Sequence, residues 1–95
     1  MEAAVYILTN AGNNVLYVGA TAKRLKQRIW EHKEKLVKSF TAKYDINKLV
    51  YYEGCEDAEQ AFKRERQLKN WHREWKINLI DKFNPTWKDL YPELE

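Results

Sequence analysis

Two short runs of strand-forming residues, "AVYILT" at 4–9 and "VLYVGA" at 15–20, are separated only by "NAGNN". β-Branched and aromatic side chains suit a pleated surface, while Asn and Gly tolerate the left-handed conformations that a reversal needs. The pair therefore reads as an antiparallel hairpin, closed by a connection longer than the two-residue kind. Most of the remaining chain has helical periodicity, which points to helices laid on a small sheet.

Thr21 is placed to cap a helix running to about Val37, with Leu25, Ile29 and Leu36 on its apolar side. "KSFTAKYDIN" breaks that pattern and reads as a loop with room for one helical turn. "KLVYYEG", residues 48–54, is the third strand. Asp57 starts the next helix, and Gln60 completes a capping-box pattern. That helix carries Ala58, Ala61, Phe62 and Leu68 and ends near Asn70 or Trp71. "REWKINLIDKF" is a further helical stretch with Trp75, Leu79, Ile80 and Phe83 on one side, stopped by Asn84-Pro85. Trp87, Leu90 and Tyr91 of the tail are expected to pack back. The expected fold is α/β (α+β): a three-stranded, mainly antiparallel sheet flanked by helices, in the order β-β-α-β-α-α.

Composition narrows the possible functions. A chain of 95 residues is expected to form one domain spanning 1–95. Cys55 is the single cysteine, so there is no intrachain disulfide. There is no apolar run of about 18 residues to predict a membrane span, and no basic-then-apolar leader to predict a signal peptide. A cytoplasmic setting is expected. His32, Cys55 and His72 share no close ligand spacing, which argues against zinc, and Ser39 lacks triad partners nearby. The net charge of +3, from 17 basic and 14 acidic residues, permits a nucleic-acid partner without establishing one.

Polar residues intrude on the apolar sides of two helices. With Leu25 as origin and about 100° per residue, Ile29 and Leu36 lie at about 40° and 20° to one side. His32 lies about 20° to the other side, and Arg28 about 60°. On the next helix, with Ala61 as origin, Glu65 lies at about 40°, within the stripe formed by Ala58, Ala61 and Leu68. Burying an ionised group is costly unless it is paired or holds a cation. Two readings stay open on pattern alone. One is an internal Arg28–Glu65 salt bridge with His32 as a satisfied core histidine. The other is a cleft that binds an anion.

Tyr6 and Tyr17, one in each hairpin strand, read on pattern alone as cross-strand aromatic packing in preference to a site. Lys63, Arg64, Arg66, Lys69, Arg73 and Lys76 interleave with Trp71 and Trp75. That mixture suits a nucleic-acid surface, and it also suits a solvated helix face.

Taken together, Tyr6, Tyr17, Gly19, Arg28, His32 and Glu65 resemble the GIY-YIG nuclease family, and the closest likeness is to its small single-domain bacterial members. The first half-motif appears as Ala4-Val5-Tyr6 and the second as Tyr17-Val18-Gly19, with Ala4 replacing the usual glycine. The helix arginine and histidine match Arg28 and His32, the metal-binding glutamate matches Glu65, and a late asparagine matches Asn84. The likeness extends to "FTAKY" and "KLVYYE".

The resemblance implies a metal-dependent endonuclease that hydrolyses phosphodiester bonds in DNA, on structured or damaged substrates of repair or recombination. RNA stays open as a substrate. Glu65 would hold one Mg²⁺ or Mn²⁺ and Arg28 the scissile phosphate. Tyr17 is the preferred general base. Tyr6 would orient the water or share that role, and His32 would relay a proton or contact phosphate. Gly19 and Asn84 would support the site. Lys23, Arg24, Lys63, Arg66, Lys69 and Arg73 are the candidate nucleic-acid contacts. An ordinary tyrosine titrates near 10, so a tyrosine base needs positive charge beside it. The alternative is a catalytically inactive nucleic-acid-binding module on the same fold.

Overall fold

The hairpin forms from strands β1 (Ala3–Thr9) and β2 (Leu16–Thr21), antiparallel, with Tyr6 opposite Gly19 and Leu8 opposite Tyr17. Asn10 organises its connection: Oδ1 accepts the Asn14 and Val15 N–H groups at 3.0 and 3.1 Å, and Asn13 takes φ 60°. Strand β3 (Lys48–Cys55) adds antiparallel to the other side of β1, giving the order β2-β1-β3. The register of that second pairing shifts between Ile7 and Leu8. These are features of a computed structural model, which describes residues 2–36 and 40–95.

All seven residues of the central strand β1 are buried. Alternation sends Ala4, Tyr6 and Leu8 to one face and Val5 and Ile7 to the other. Helix α1 (Leu25–Lys33) covers the first face through Leu25 and Ile29, joined by Ile46 and by Leu90 and Leu94 of the tail. The second face is covered by α3 (Ala58–Lys69) and α4 (Arg73–Phe83), through Leu68 and Ile80, with Trp71, Leu79 and Trp87 at the margin. Helix α2 (Phe40–Lys43) is the single turn within "KSFTAKYDIN". Among the described residues, no helix is long and apolar enough to cross a membrane.

Asp57 caps α3 as its sequence predicts, accepting the Gln60 N–H at 2.9 Å, and Asn70 closes that helix. The α1 boundaries differ from expectation. Thr21 is the last residue of β2, paired with Ala4, and its Oγ1 accepts the Lys23 N–H at 2.9 Å. Arg24 takes the N-cap position instead, without a side-chain cap. The helix stops at Lys33, and Lys35 turns left-handed at φ 56°. Leu36 is consequently 60% exposed and does not face the core. The expected end at Val37, and Ser39, lie outside the described residues.

The apolar side expected of α4 is only partly covered. Ile80 is buried and Leu79 half-buried, while Trp75 and Phe83 are 53% and 47% exposed. Phe83 stacks edge-on to Tyr51 and Tyr52 of β3. The tail does pack back. The Leu90 N–H donates to the Leu49 carbonyl at 2.8 Å, and Asp89 accepts from the Leu49 and Tyr91 N–H groups and from Lys33 Nζ.

Candidate active site

Four elements, β1, β2, α1 and α2, bring five polar side chains together. Tyr6 stands on the central strand with no exposed surface. Arg28 and His32 stand one turn apart on α1, directed at it. The Tyr6 hydroxyl lies 2.8 Å from His32 Nε2 and accepts from Arg28 Nε at 3.4 Å. His32 Nδ1 lies 3.1 Å from Thr41 Oγ1 on α2. Tyr17 is half-buried and presents its ring edge-on to His32, with centroids 6.0 Å apart.

Gly19 makes this approach possible. A β-carbon there would stand 2.5 Å from Tyr6 Cζ and 2.6 Å from its hydroxyl oxygen. The motif glycine is therefore required by the tyrosine on the neighbouring strand. The Ala4 that replaces the first glycine is accommodated, fully buried opposite Thr21.

Arg28 is held from two sides. Besides its bond to Tyr6, Nη1 donates to Glu31 Oε1 at 3.2 Å, and Glu31 also accepts from Lys23 Nζ at 2.9 Å. Hydrogen bonding to Lys23, and then to Arg28, keeps the Glu31 carboxyl below its ordinary range. Burial works against the Arg28 charge, yet the bonds to Tyr6 and Glu31 outweigh it and raise the pKa. Burial pushes the Tyr6 phenol up to about 12, with the charges of Tyr17 and Glu65 acting in the same direction. Burial, then the Arg28 charge, pulls His32 down to about 4, so the ring is neutral near pH 7.

The internal salt bridge between Arg28 and Glu65 is not present. Arg28 finds its carboxylate three residues along its own helix, while Glu65 pairs with Lys69 at 3.5 Å. Glu65 is 21% exposed on α3. A single, loosely paired carboxylate suits a hard cation that keeps most of its waters, such as Mg²⁺ or Mn²⁺. Among the described residues no cluster of three His, Cys, Asp or Glu exists that would suit zinc.

Asn84 has a different place. Buried at the end of α4, it donates through Nδ2 to the Val50 and Lys88 carbonyls at 3.3 and 2.8 Å, fastening the tail to β3. The basic candidates are spread out. Lys23 serves Glu31, and Arg24 donates to the Glu95 carbonyl at 3.3 Å. Lys63 and Lys69 lie near Glu59 and Glu65 along α3, and Arg73 donates to the Asn14 carbonyl at 2.9 Å. Arg66 has no acidic partner among the described residues. Arg64 is bound to Glu53 and lies 5.2 Å over the Trp71 ring.

Sequence reasoning missed Glu31 and Thr41. Glu31 had a signal, its spacing of three from Arg28 on one helix. Thr41 lies within "FTAKY", a segment of the family likeness, but no residue pattern pointed to its contact with His32, which depends on how α2 folds back.

The model of the GIY-YIG catalytic domain matches residues 2–78. No curated protein and no solved structure matches the chain. The match covers well over half of the length and contains Tyr6, Tyr17, Gly19, Arg28, His32 and Glu65. The chain therefore belongs to the GIY-YIG family of nuclease domains.

Proposed function

We propose that residues 1–95 act as one domain, an endonuclease that hydrolyses phosphodiester bonds in DNA with one divalent cation. The observation that carries this is Arg28. Its guanidinium is fixed from behind by Tyr6 and Glu31, is 27% exposed, and keeps Nη2 without a hydrogen bond among the described residues. A planar, permanently charged fork held in this way is suited to a phosphate oxygen.

Glu65 would hold Mg²⁺ or Mn²⁺, which when bound supplies positive charge opposite the leaving oxygen. Tyr17 is the proposed base, because Tyr6 has no surface through which to meet a water. As phenolate, Tyr17 takes a proton from water while the water oxygen bonds to phosphorus and the bond to the leaving oxygen breaks. Tyr6 stays a neutral phenol and positions Arg28. His32, 2% exposed with both nitrogens engaged, holds Tyr6 and does not reach the phosphate.

Residues 63–82 contain seven Lys or Arg against three Asp or Glu, so this segment alone exceeds the +3 of the whole chain. With Trp75 exposed among them, α3 and α4 form the surface we propose for DNA. Structured or damaged DNA, as met in repair and recombination, would offer unpaired bases to that tryptophan. A cytoplasmic setting fits the lone Cys55 thiol.

The test is a cleavage screen over flaps, branches, lesions and single strands, with and without Mg²⁺ or Mn²⁺, with RNA as a further arm. Arg28→Ala and Glu65→Ala should each lower cutting about a hundredfold or more while keeping a folded melting profile. Undiminished cutting by either variant would sink the assignment. Binding without cutting by the parent protein would favour the inactive binding module.

A further inference from the structure

The hydrogen bonds behind Arg28 have a direction. Arginine only donates, so the Tyr6 oxygen accepts from Nε. Tyr6 is fully buried, and among the described residues the acceptor within reach of its proton is His32 Nε2. A neutral imidazole carries one N–H. With Nε2 accepting, that proton sits on Nδ1 and is donated to Thr41 Oγ1 at 3.1 Å. The chain thus runs one way, from Arg28 to Tyr6 to His32 to Thr41. Among the described residues no buried side-chain nitrogen or oxygen lacks a partner.

We propose that Thr41 is a positioning residue: by accepting the His32 Nδ1–H it sets the imidazole tautomer that leaves the Tyr6 lone pair free to hold Arg28. With the opposite tautomer, Nε2–H would donate to the Tyr6 oxygen. The phenol hydrogen would then have no acceptor among the described residues, and the Tyr6 oxygen would divide its lone pairs between two donors, weakening its hold on Arg28 and leaving Glu31 as the firmer of the two rear contacts. Thr41 lies outside the half-motifs, the helix arginine and histidine, and the α3 glutamate, and it is buried against His32. Its effect on cutting rests on the proposed nuclease activity, whereas its effect on the tautomer does not.

The experiment combines ¹⁵N spectra of the histidine rings near pH 7 with cleavage by Thr41→Val and Thr41→Ser. In the parent protein, His32 should show a protonated Nδ1 and a bare Nε2. Thr41→Val keeps the shape but removes the acceptor. It should move His32 toward the Nε2–H form and lower cutting about tenfold, the loss of one hydrogen bond's worth of positioning. Thr41→Ser should preserve both readouts. An Nε2–H tautomer in the parent overturns the proposal. So does a Thr41→Val variant with changed tautomer and undiminished cutting, or with neither changed. If Thr41→Val does not fold, the parent tautomer and the Thr41→Ser spectra decide. If the parent cuts no nucleic acid, the nuclease assignment fails, and the tautomer shift on Thr41→Val still decides whether Thr41 sets the imidazole proton.

Discussion

Between Tyr6 and Gly19 there is no space for a single additional carbon. Gly19→Ala should displace the phenol and loosen its hold on Arg28. Overpacking of this kind costs about 1–3 kcal/mol. For a chain of this size that is a fall in Tm of roughly 5–15 °C, read by thermal melting; a melt within a degree of the parent would contradict it. His32 gives a pH signature. Its ordinary value of 6.5 applies to the unfolded chain and about 4 to the folded one. Between those values the unfolded state binds more protons, so stability falls as pH falls from 6.5 toward 4, by roughly 3 kcal/mol at most. Urea unfolding across that window should show the slope, and His32→Gln should flatten it. The sequence pattern singled out Arg28, His32 and Glu65, because each breaks an expected period, whereas Tyr6 and Tyr17 entered only with the family resemblance. It left open whether Arg28 met Glu65, since helical angles give direction along one helix and no distance between two. Glu31, half-buried outside the stripe, settled that question by pairing with Arg28.

The elements were most legible where a cap announces them. Asp57 and Gln60 start α3, and Asn84-Pro85 ends α4, because these side chains and the proline ring act within one turn. Asp57→Ala should lower stability by about 1 kcal/mol, seen as a few degrees in a melt, with cutting unchanged. Thr21 misled for a physical reason. A threonine can end a strand as readily as cap a helix, and pairing with Ala4 decides for the strand. Leu36 misled because periodicity continued past the left-handed turn at Lys35. On α4, the exposed Trp75 and Phe83 follow the apolar period without the burial, because the sheet is only three strands wide and α4 meets it mainly along β3.

At the scale of the molecule, the family match ends within α4, yet residues beyond it complete the core: Leu90 and Leu94 join Leu25, Ile29 and Leu49 over the first face of the sheet. Leu90→Ala should cost about 2–5 kcal/mol, measurable by urea unfolding, which is comparable to losing a central core residue. The uneven charge predicts strongly salt-dependent binding to DNA. Arg66→Gln should lower the slope of log affinity against log salt by about one, measured by fluorescence titration without metal. The general architecture, helices on a small sheet, was legible from the order of periods; its division into two covered faces was not, because period alone does not say on which side a helix lands. The consequence of placing Tyr6 on the middle strand is one of lifetime. A strand paired on both edges and covered on both faces exchanges its amide hydrogens through opening of the whole molecule. The Tyr6 amide should be among the slowest to exchange deuterium, so the backbone that carries the phenol should hold its place for as long as the fold does.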